Sequence, residues 1–167
     1  VYWAAANGIT KGYADGTFGP ERNCERREMM IFLWRVAGCP ESSVNPAQKF
    51  SDMGAYKNTT DTYKAVAWGI ENGIINGYSD GTFRPTASIT RKDTMIMLYR
   101  LAGKPEVTGT ISFSDCKYDV KVNPDTFNAI LWADQEGISH GYTDGTFRPD
   151  EDCLREHIIT FLYRNAK

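Results

Sequence analysis

Three arginines recur at nearly equal spacing and are the side chains best suited to hold a ligand. Arg26, Arg91 and Arg155 are separated by 65 and 64 residues. A guanidinium can hold a carboxylate through two parallel charge-assisted hydrogen bonds. Each arginine stands in the first turn of a predicted helix, where unpaired backbone N–H groups and the helix dipole also favour an anion. The alternative is an internal ion pair tying loop to helix, with Asp80 or Glu28 as the acid.

A nine-residue motif precedes each arginine. Gly-Tyr-x-Asp-Gly-Thr-Phe-x-Pro occupies residues 12–20, 77–85 and 141–149, and seven of its nine positions are identical in all three copies. The aspartate and the following glycine favour a turn, because aspartate accepts hydrogen bonds from nearby N–H groups and glycine adopts positive φ. A calcium loop is the weaker interpretation, since each copy offers a single carboxylate.

Helices must flank each loop to position these residues. An apolar segment, predicted as a helix over 61–72 and 125–136 and ended by Gly-Ile, precedes the motif. A second helix follows the motif, over 25–37, 90–102 and 154–166. Tryptophans recur in the first helix, and we interpret Trp68 and Trp132 as core residues, with a groove wall as the alternative. The pattern predicts an all-α fold.

Composition excludes several classes of function. The 167 residues carry 19 basic and 21 acidic side chains, so no global positive field holds nucleic acid or an anionic bilayer. No apolar run approaches the ~18 residues of a membrane span. With only two histidines, the chain lacks side chains that many catalytic sites require, and no nucleophile stands beside a base. We expect no enzyme activity, cofactor, metal, nucleic-acid partner or membrane insertion.

The four cysteines show no spacing typical of a zinc site. When the repeat copies are aligned, Cys116 and Cys153 fall at the positions of the apolar residues Met53 and Ile89 in the preceding copy. We therefore predict that the side chains at these two positions are in contact and that Cys116 and Cys153 form a disulfide, which an exported protein could keep. Buried free thiols are the alternative. Cys39 is expected to be exposed.

The repeated order of elements resembles the S-layer homology (SLH) module. The resemblance rests on Phe50-Ser51-Asp52 and Phe113-Ser114-Asp115, the apolar helix with its Gly-Ile stop, the loop motif, and the helix opening Thr90-Arg91-Lys92-Asp93. It implies modules at 1–40, 50–105 and 113–167, which together form one compact domain. Three helix-loop-helix modules would share a helical core in a pseudo-threefold, three-pronged arrangement. By the same pattern we expect the first module to be N-terminally incomplete.

The resemblance also implies a function. Modules of this family anchor secreted bacterial surface proteins non-covalently to secondary cell wall polysaccharide or a peptidoglycan-linked glycan, often one bearing ketal-linked pyruvate. We expect an anionic polymer as the partner. An SLH-fold protein-interaction or structural module that no longer binds polymer is the alternative, and a hydrolase is the weakest reading. By the repeat spacing, the chain begins inside a helix, and we expect an effector domain of the same polypeptide upstream of Val1.

Departures from the family segment Thr-Arg-Ala-Glu rank the candidate sites. The three modules are called units one (1–40), two (50–105) and three (113–167) below. Unit two is nearest to the family segment, units one and three lack its threonine, and unit three also lacks its acid. We therefore rank the groove around Arg91 first and expect Arg91→Ala to weaken binding by about 1.5–3 kcal/mol while leaving stability nearly unchanged. The tyrosines either stack on a sugar or pack beneath the loop. The candidate ligand-binding residues are Arg91, Asp80, Tyr78, Gly81, Arg26, Asp15, Tyr13, Arg155, Asp144, Tyr142, Trp68 and Trp132.

Overall fold

The computed structural model describes residues 1–166 of the chain. Its helices are α1 (Tyr2–Ala6), α2 (Arg26–Val36), α3 (Asp61–Glu71), α4 (Arg91–Leu101), α5 (Pro124–Gln135) and α6 (Arg155–Asn165), with 3₁₀ turns at Pro46–Gln48 and Ser51–Met53. The described residues form no strand, only isolated bridges. The predicted all-α class is therefore confirmed. None of these helices is both long and apolar enough to cross a membrane.

The longer helices begin and end where local chemistry favours it. In α4 the Thr90 hydroxyl accepts a hydrogen bond from the Asp93 N–H at 3.2 Å. In α2 the Glu28 carboxylate accepts one from the Glu25 N–H at 3.0 Å, which completes a capping box. Ala-Gly ends both helices, and the glycines Gly38 and Gly103 adopt positive φ.

Neighbouring units are joined by helix packing. The second helix of one unit lies against the first helix of the next, in the pairs α2 with α3 and α4 with α5. The last helix, α6, returns to contact α1. At the α2–α3 contact the Met30 side chain packs so closely on Gly69 that a Cβ at this position would force the end of Met30 to move. The hydrophobic core is thus built between units.

A closed cycle of backbone hydrogen bonds joins the three units. The Cys24 N–H donates to the Cys153 carbonyl at 2.8 Å, Cys153 to Ile89 at 2.8 Å, and Ile89 back to Cys24 at 2.9 Å. All three side chains are fully buried. The pseudo-threefold, three-pronged shape stays a prediction, and such a cycle is what that shape requires.

The predicted disulfide is not formed. All four cysteines are free thiols, with Cys39 exposed, as expected, and the others buried. The thiols of the predicted pair have other neighbours: Cys116 interacts with Asp115, and Cys153 with Thr94. Burial raises the pKa of the Cys116 thiol to about 12 and that of Cys153 to about 11. Both thiols are protonated and unreactive at neutral pH.

Trp68 and Trp132 belong to the core. They are 6% and 4% exposed, and Trp132 packs on Tyr99 with ring centroids 5.7 Å apart. Neither ring lines any of the grooves described below. The structure therefore places them as core residues and not as groove walls.

Candidate ligand-binding grooves

Unit one meets unit two, unit two meets unit three, and unit three meets unit one, which is therefore the next unit after unit three. Each of these three junctions contains a groove, and the grooves are lined by equivalent residues. We name each groove after the arginine at its base. The lining residues include Arg91, Ser139, Tyr142, His157, Phe161 and Arg164 in the Arg91 groove, Arg26, Ile75, Tyr78, Asp93, Met97 and Arg100 in the Arg26 groove, and Arg155, Thr10, Tyr13, Glu28, Phe32 and Arg35 in the Arg155 groove. Their volumes are about 270, 140 and 160 Å³, so the Arg91 groove offers the most room.

The arginine of one unit and the tyrosine of the next unit share a groove. Arg91 lies with Tyr142 of unit three, and Tyr78 lies with Arg26 of unit one. Tyr78, Asp80 and Gly81, which belong to the same unit as Arg91, do not line the Arg91 groove. The arginine side chain reaches across the junction instead of back to its own loop.

The helix N-termini are not free to bind an anion. At the start of α4, the Arg91 N–H donates to the Glu151 carbonyl and the Lys92 N–H to the Pro149 carbonyl, both at 2.9 Å. The next N–H in the helix, that of Asp93, is taken by the Thr90 hydroxyl. Carbonyls of the neighbouring unit cap α2 and α6 in the same way. The expectation of available N–H groups was wrong, because the loop of the next unit satisfies them.

The three guanidiniums are buried at the base of the grooves. Arg26, Arg91 and Arg155 are only 3–4% exposed. In each, Nε donates to the carbonyl of the loop phenylalanine in the next unit, at 2.8–2.9 Å. Each arginine therefore joins two units, whatever else it binds.

Two of the three arginines are neutralised inside the protein. Arg26 Nη1 lies 2.9 Å from the Asp93 carboxylate, and Arg155 Nη1 lies 2.6 Å from the Glu28 carboxylate. The carboxylates come from the second helix of the next unit. The internal ion pair thus accounts for these two arginines, although its acid is never Asp80.

Arg91 differs from the other two arginines. No carboxylate within residues 1–166 forms an ion pair with it, and its Nη2 makes a 3.3 Å hydrogen bond to the Ser139 hydroxyl. The position equivalent to Glu28 and Asp93 is His157. Arg91 is thus a buried cation that faces a groove without an internal counter-charge.

The same environment determines the hydrogen bonding and the pKa of His157. Its Nδ1 atom is buried and has no hydrogen-bond partner in the part of the chain that the structure describes. Burial and the positive charge of Arg91 both lower the pKa of this imidazole below its ordinary value. The side chain is therefore neutral at pH 7 and adds no counter-charge for Arg91.

The burial of Arg91 changes one expectation. Removal of this side chain would leave the Phe147 carbonyl without its 2.8 Å hydrogen bond and open space at the junction. Arg91→Ala should therefore lose stability as well as any bound ligand, because a buried acceptor would be unsatisfied. The expected nearly unchanged stability of this variant no longer holds.

The loop tyrosines pack against arginines. The Arg148 guanidinium lies 4.0 Å and that of Arg91 4.9 Å from the centre of the Tyr142 ring. Tyr78 has equivalent contacts with Arg84 and Arg26, and Tyr13 with Arg22 and Arg155. The Tyr13 hydroxyl also donates to Glu28 at 3.1 Å. These contacts hold each ring at the groove edge by cation–π attraction.

The motif aspartates form turns on the exposed side of the loops. The Asp80 carboxylate accepts hydrogen bonds from the N–H and hydroxyl of Thr82 and pairs with Arg84 at 2.8 Å. Those hydroxyl and guanidinium contacts lower the pKa of Asp80 to about 2. Asp144 repeats the arrangement with Thr146 and Arg148, and Asp15 keeps the threonine contacts. Asp15, Asp80, Gly81 and Asp144 shape the loops and line none of the three grooves.

A second aspartate in each of the last two units fixes the loop. The Asp52 carboxylate accepts hydrogen bonds from the Phe83 and Arg84 N–H groups at 2.9 and 2.7 Å. Arg84 has φ +58°, a conformation that few non-glycine residues adopt. Asp115 holds Phe147 and Arg148 in the same way. The Phe-Ser-Asp marker was recognised in the sequence, but its role as a loop clamp was not.

His157 was missed as a site residue. The signal was present, because unit three loses the acid of the family segment. That loss was read as erosion of unit three alone. The structure shows that this position of unit three completes the groove of the arginine in unit two.

Comparison with known proteins agrees with this architecture. The family model described as the S-layer homology domain matches residues 1–30, 49–95 and 119–159. Cell surface glycoprotein 1 of Acetivibrio thermocellus is 33% identical over 165 residues, and the cellulosome-anchoring protein of the same organism is 32% identical over 168 residues. An endoglucanase from a Bacillus species is 29% identical over 136 residues.

These matches cover 92%, 94% and 81% of the chain. They span only 7%, 35% and 14% of the respective relatives, so the chain corresponds to a small part of each. The family model, by contrast, matches more than half of the chain in three segments, which coincide with the three repeats. The chain therefore belongs to the S-layer homology domain family.

Proposed function

We propose that this chain anchors its protein to the cell wall by binding an anionic secondary cell wall polysaccharide in the Arg91 groove. Family membership and the surface-protein relatives support a secreted, cell-surface location and cell-wall anchoring in general. The polymer and its groove are the new part of the proposal.

One observation carries the proposal: Arg91 is a buried guanidinium that lines a groove of about 270 Å³ and pairs with no carboxylate among the described residues. A buried charge is costly unless it is paired. A sugar carboxylate, from a pyruvate ketal or a uronate, supplies the counter-charge and gains a charge-assisted hydrogen bond. Tyr142 at the groove edge offers a ring beside which the sugar can lie.

The other two grooves are weaker candidates. Their arginines already hold Asp93 and Glu28, so a ligand carboxylate would have to displace an internal partner and would meet like charge. We therefore propose one carboxylate site per chain, not three equivalent ones. A soluble monovalent glycan should titrate with a stoichiometry near one.

Retention on isolated wall sacculi tests the function. The chain should be retained on sacculi that keep their secondary polymer and should be lost after the polymer is chemically stripped. Retention on neither preparation would favour the alternative, an SLH-fold interaction module without polymer binding. Equal retention on both would identify peptidoglycan itself as the partner and contradict the proposal.

A further inference from the structure

The Arg91 groove differs from its two counterparts in one respect that bears on how it binds. At the other junctions a carboxylate on the second helix neutralises the arginine, at 2.6 Å for Glu28 and 2.9 Å for Asp93. At this junction the equivalent position, the third residue of α6, is His157. A neutral imidazole cannot replace a carboxylate, but it can become a second cation.

The position of His157 suits it to contact whatever Arg91 binds. Both residues line the Arg91 groove, and Nδ1 of His157 is buried without a hydrogen-bond partner. An unsatisfied buried nitrogen is costly and calls for a partner. When that nitrogen is protonated it becomes a donor, and a carboxylate oxygen is a strong acceptor for it.

On this basis, and resting on the function proposed above, we infer that His157 is a specificity residue of the Arg91 groove. The carboxylate of the wall polymer pairs with both Arg91 and protonated His157, so the polymer binds together with a proton. The bound carboxylate supplies the negative charge that Glu28 and Asp93 supply at the other junctions.

The surrounding charges fit such coupling. Without ligand, burial and Arg91 lower the pKa of His157, while Glu156 on α6 and Glu151 in the preceding loop oppose that shift. Arg164 also lines the groove, donating to the Ile138 carbonyl at 3.0 Å, and Tyr142 lies at its edge. His140 lines the groove as well, but its Nδ1 lies 3.0 Å from the Asp134 carboxylate. A bound carboxylate offsets the positive field of Arg91, and protonation of His157 then costs less.

The inference predicts that affinity rises as pH falls. A sugar carboxylate stays ionised well below pH 6, so the titrating group is on the protein. Uptake of one proton changes affinity by at most about tenfold per pH unit. Between about pH 7.5 and about pH 5.5 we expect an increase of roughly 3- to 30-fold, because the ordinary pKa of an imidazole, about 6.5, lies between these two values.

The test measures binding of wild type, His157→Gln and His157→Glu to polymer-bearing sacculi at both pH values. Calorimetry with two soluble probes accompanies it, a methyl hexoside carrying ketal-linked pyruvate and a methyl glucuronide, to identify the carboxylate source. Wild type should bind more tightly at the lower pH, whereas His157→Gln should bind equally at both. His157→Glu should lose most of its binding at both pH values, because its carboxylate pairs with Arg91. Thermal unfolding of each variant verifies that it is folded.

The outcomes separate this inference from the proposed function. Wild-type affinity that does not change with pH, or the same pH dependence in His157→Gln, would overturn the role of His157 and leave polymer binding intact. Absence of wild-type binding at both pH values would overturn the proposed function itself, and the inference with it. As an independent readout, the NMR titration of the His157 ring should move to higher pH when the binding probe is added.

Discussion

The Nη1 atom of Arg155 lies 2.6 Å from the Oε1 atom of Glu28, which joins the last unit of the chain to the first. The Arg155 side chain is 3% exposed and that of Glu28 16%, so the pair is shielded from water. The contact repeats between Arg26 and Asp93. At the remaining junction, the residue at the equivalent position beside Arg91 is His157. One position in the second helix therefore decides whether a junction is closed internally or is open to an anion.

Arg155→Ala should destabilise the fold strongly. The substitution leaves Glu28 as an unpaired, largely buried carboxylate and removes the hydrogen bond to the Phe18 carbonyl. Breaking a buried pair in this way costs about 3–5 kcal/mol. Urea unfolding would measure the loss, with Arg84→Ala as the control because that arginine pairs with Asp80 at the surface. Equal stability of both variants would show that the junction pair contributes no more than a surface pair.

The glycines of the second loop separate two effects of a side chain. Gly77 and Gly81 both have φ +76°, so alanine at either position is strained by about 1–2 kcal/mol. A Cβ on residue 77 would also lie 2.8 Å from the Thr82 carbonyl oxygen, whereas open space surrounds residue 81. Gly77→Ala should therefore destabilise more than Gly81→Ala in the same unfolding experiment. Equal losses would mean that backbone strain alone accounts for the glycine at both positions.

Stability should depend on pH through His157. Its pKa is lowered in the folded chain by burial and Arg91, so below about pH 6.5 the unfolded chain binds the proton more readily. The free energy of unfolding should fall as pH drops through this value towards the folded pKa, and it should be constant above. Asp80 and Asp144, with pKa values of about 2, act only below about pH 4, where their contribution is lost.

Comparison of wild type with His157→Gln isolates that effect. When the pH is lowered from about 7.5 to about 5.5 in the absence of ligand, the free energy of unfolding should fall more in wild type than in His157→Gln. A difference that stays constant would mean that the folded protein does not disfavour the imidazolium.

Much of the fold could be predicted from the sequence because its signals are local. The Gly-Ile stop places the end of α3, and the arginine at the helix start places the beginnings of α2 and α4, within about one residue of those observed. The loop aspartates form the predicted turns for the same reason, since Asp80 contacts residues two and four positions away.

The grooves could not be predicted in this way. Each one combines an arginine from one unit with a tyrosine and a second-helix side chain from the next, as Arg26 does with Tyr78 and Asp93. Spacing along the chain shows that the units are equivalent but not the direction in which a long side chain reaches. The same ambiguity hid the capping of the helix N-termini by neighbouring carbonyls. It also made the loss of the acid at His157 look like a defect of unit three alone.

We propose that Arg91 binds the wall polymer because no carboxylate within residues 1–166 holds it. The most direct test compares His157→Glu with wild type on polymer-bearing sacculi, with Ser79→Glu as a control that adds the same charge at an exposed position outside the grooves. We predict that His157→Glu loses most of its retention while its thermal stability is equal or higher, because the new carboxylate pairs with Arg91, and that Ser79→Glu is retained like wild type. Retention of His157→Glu at the wild-type level would contradict the account.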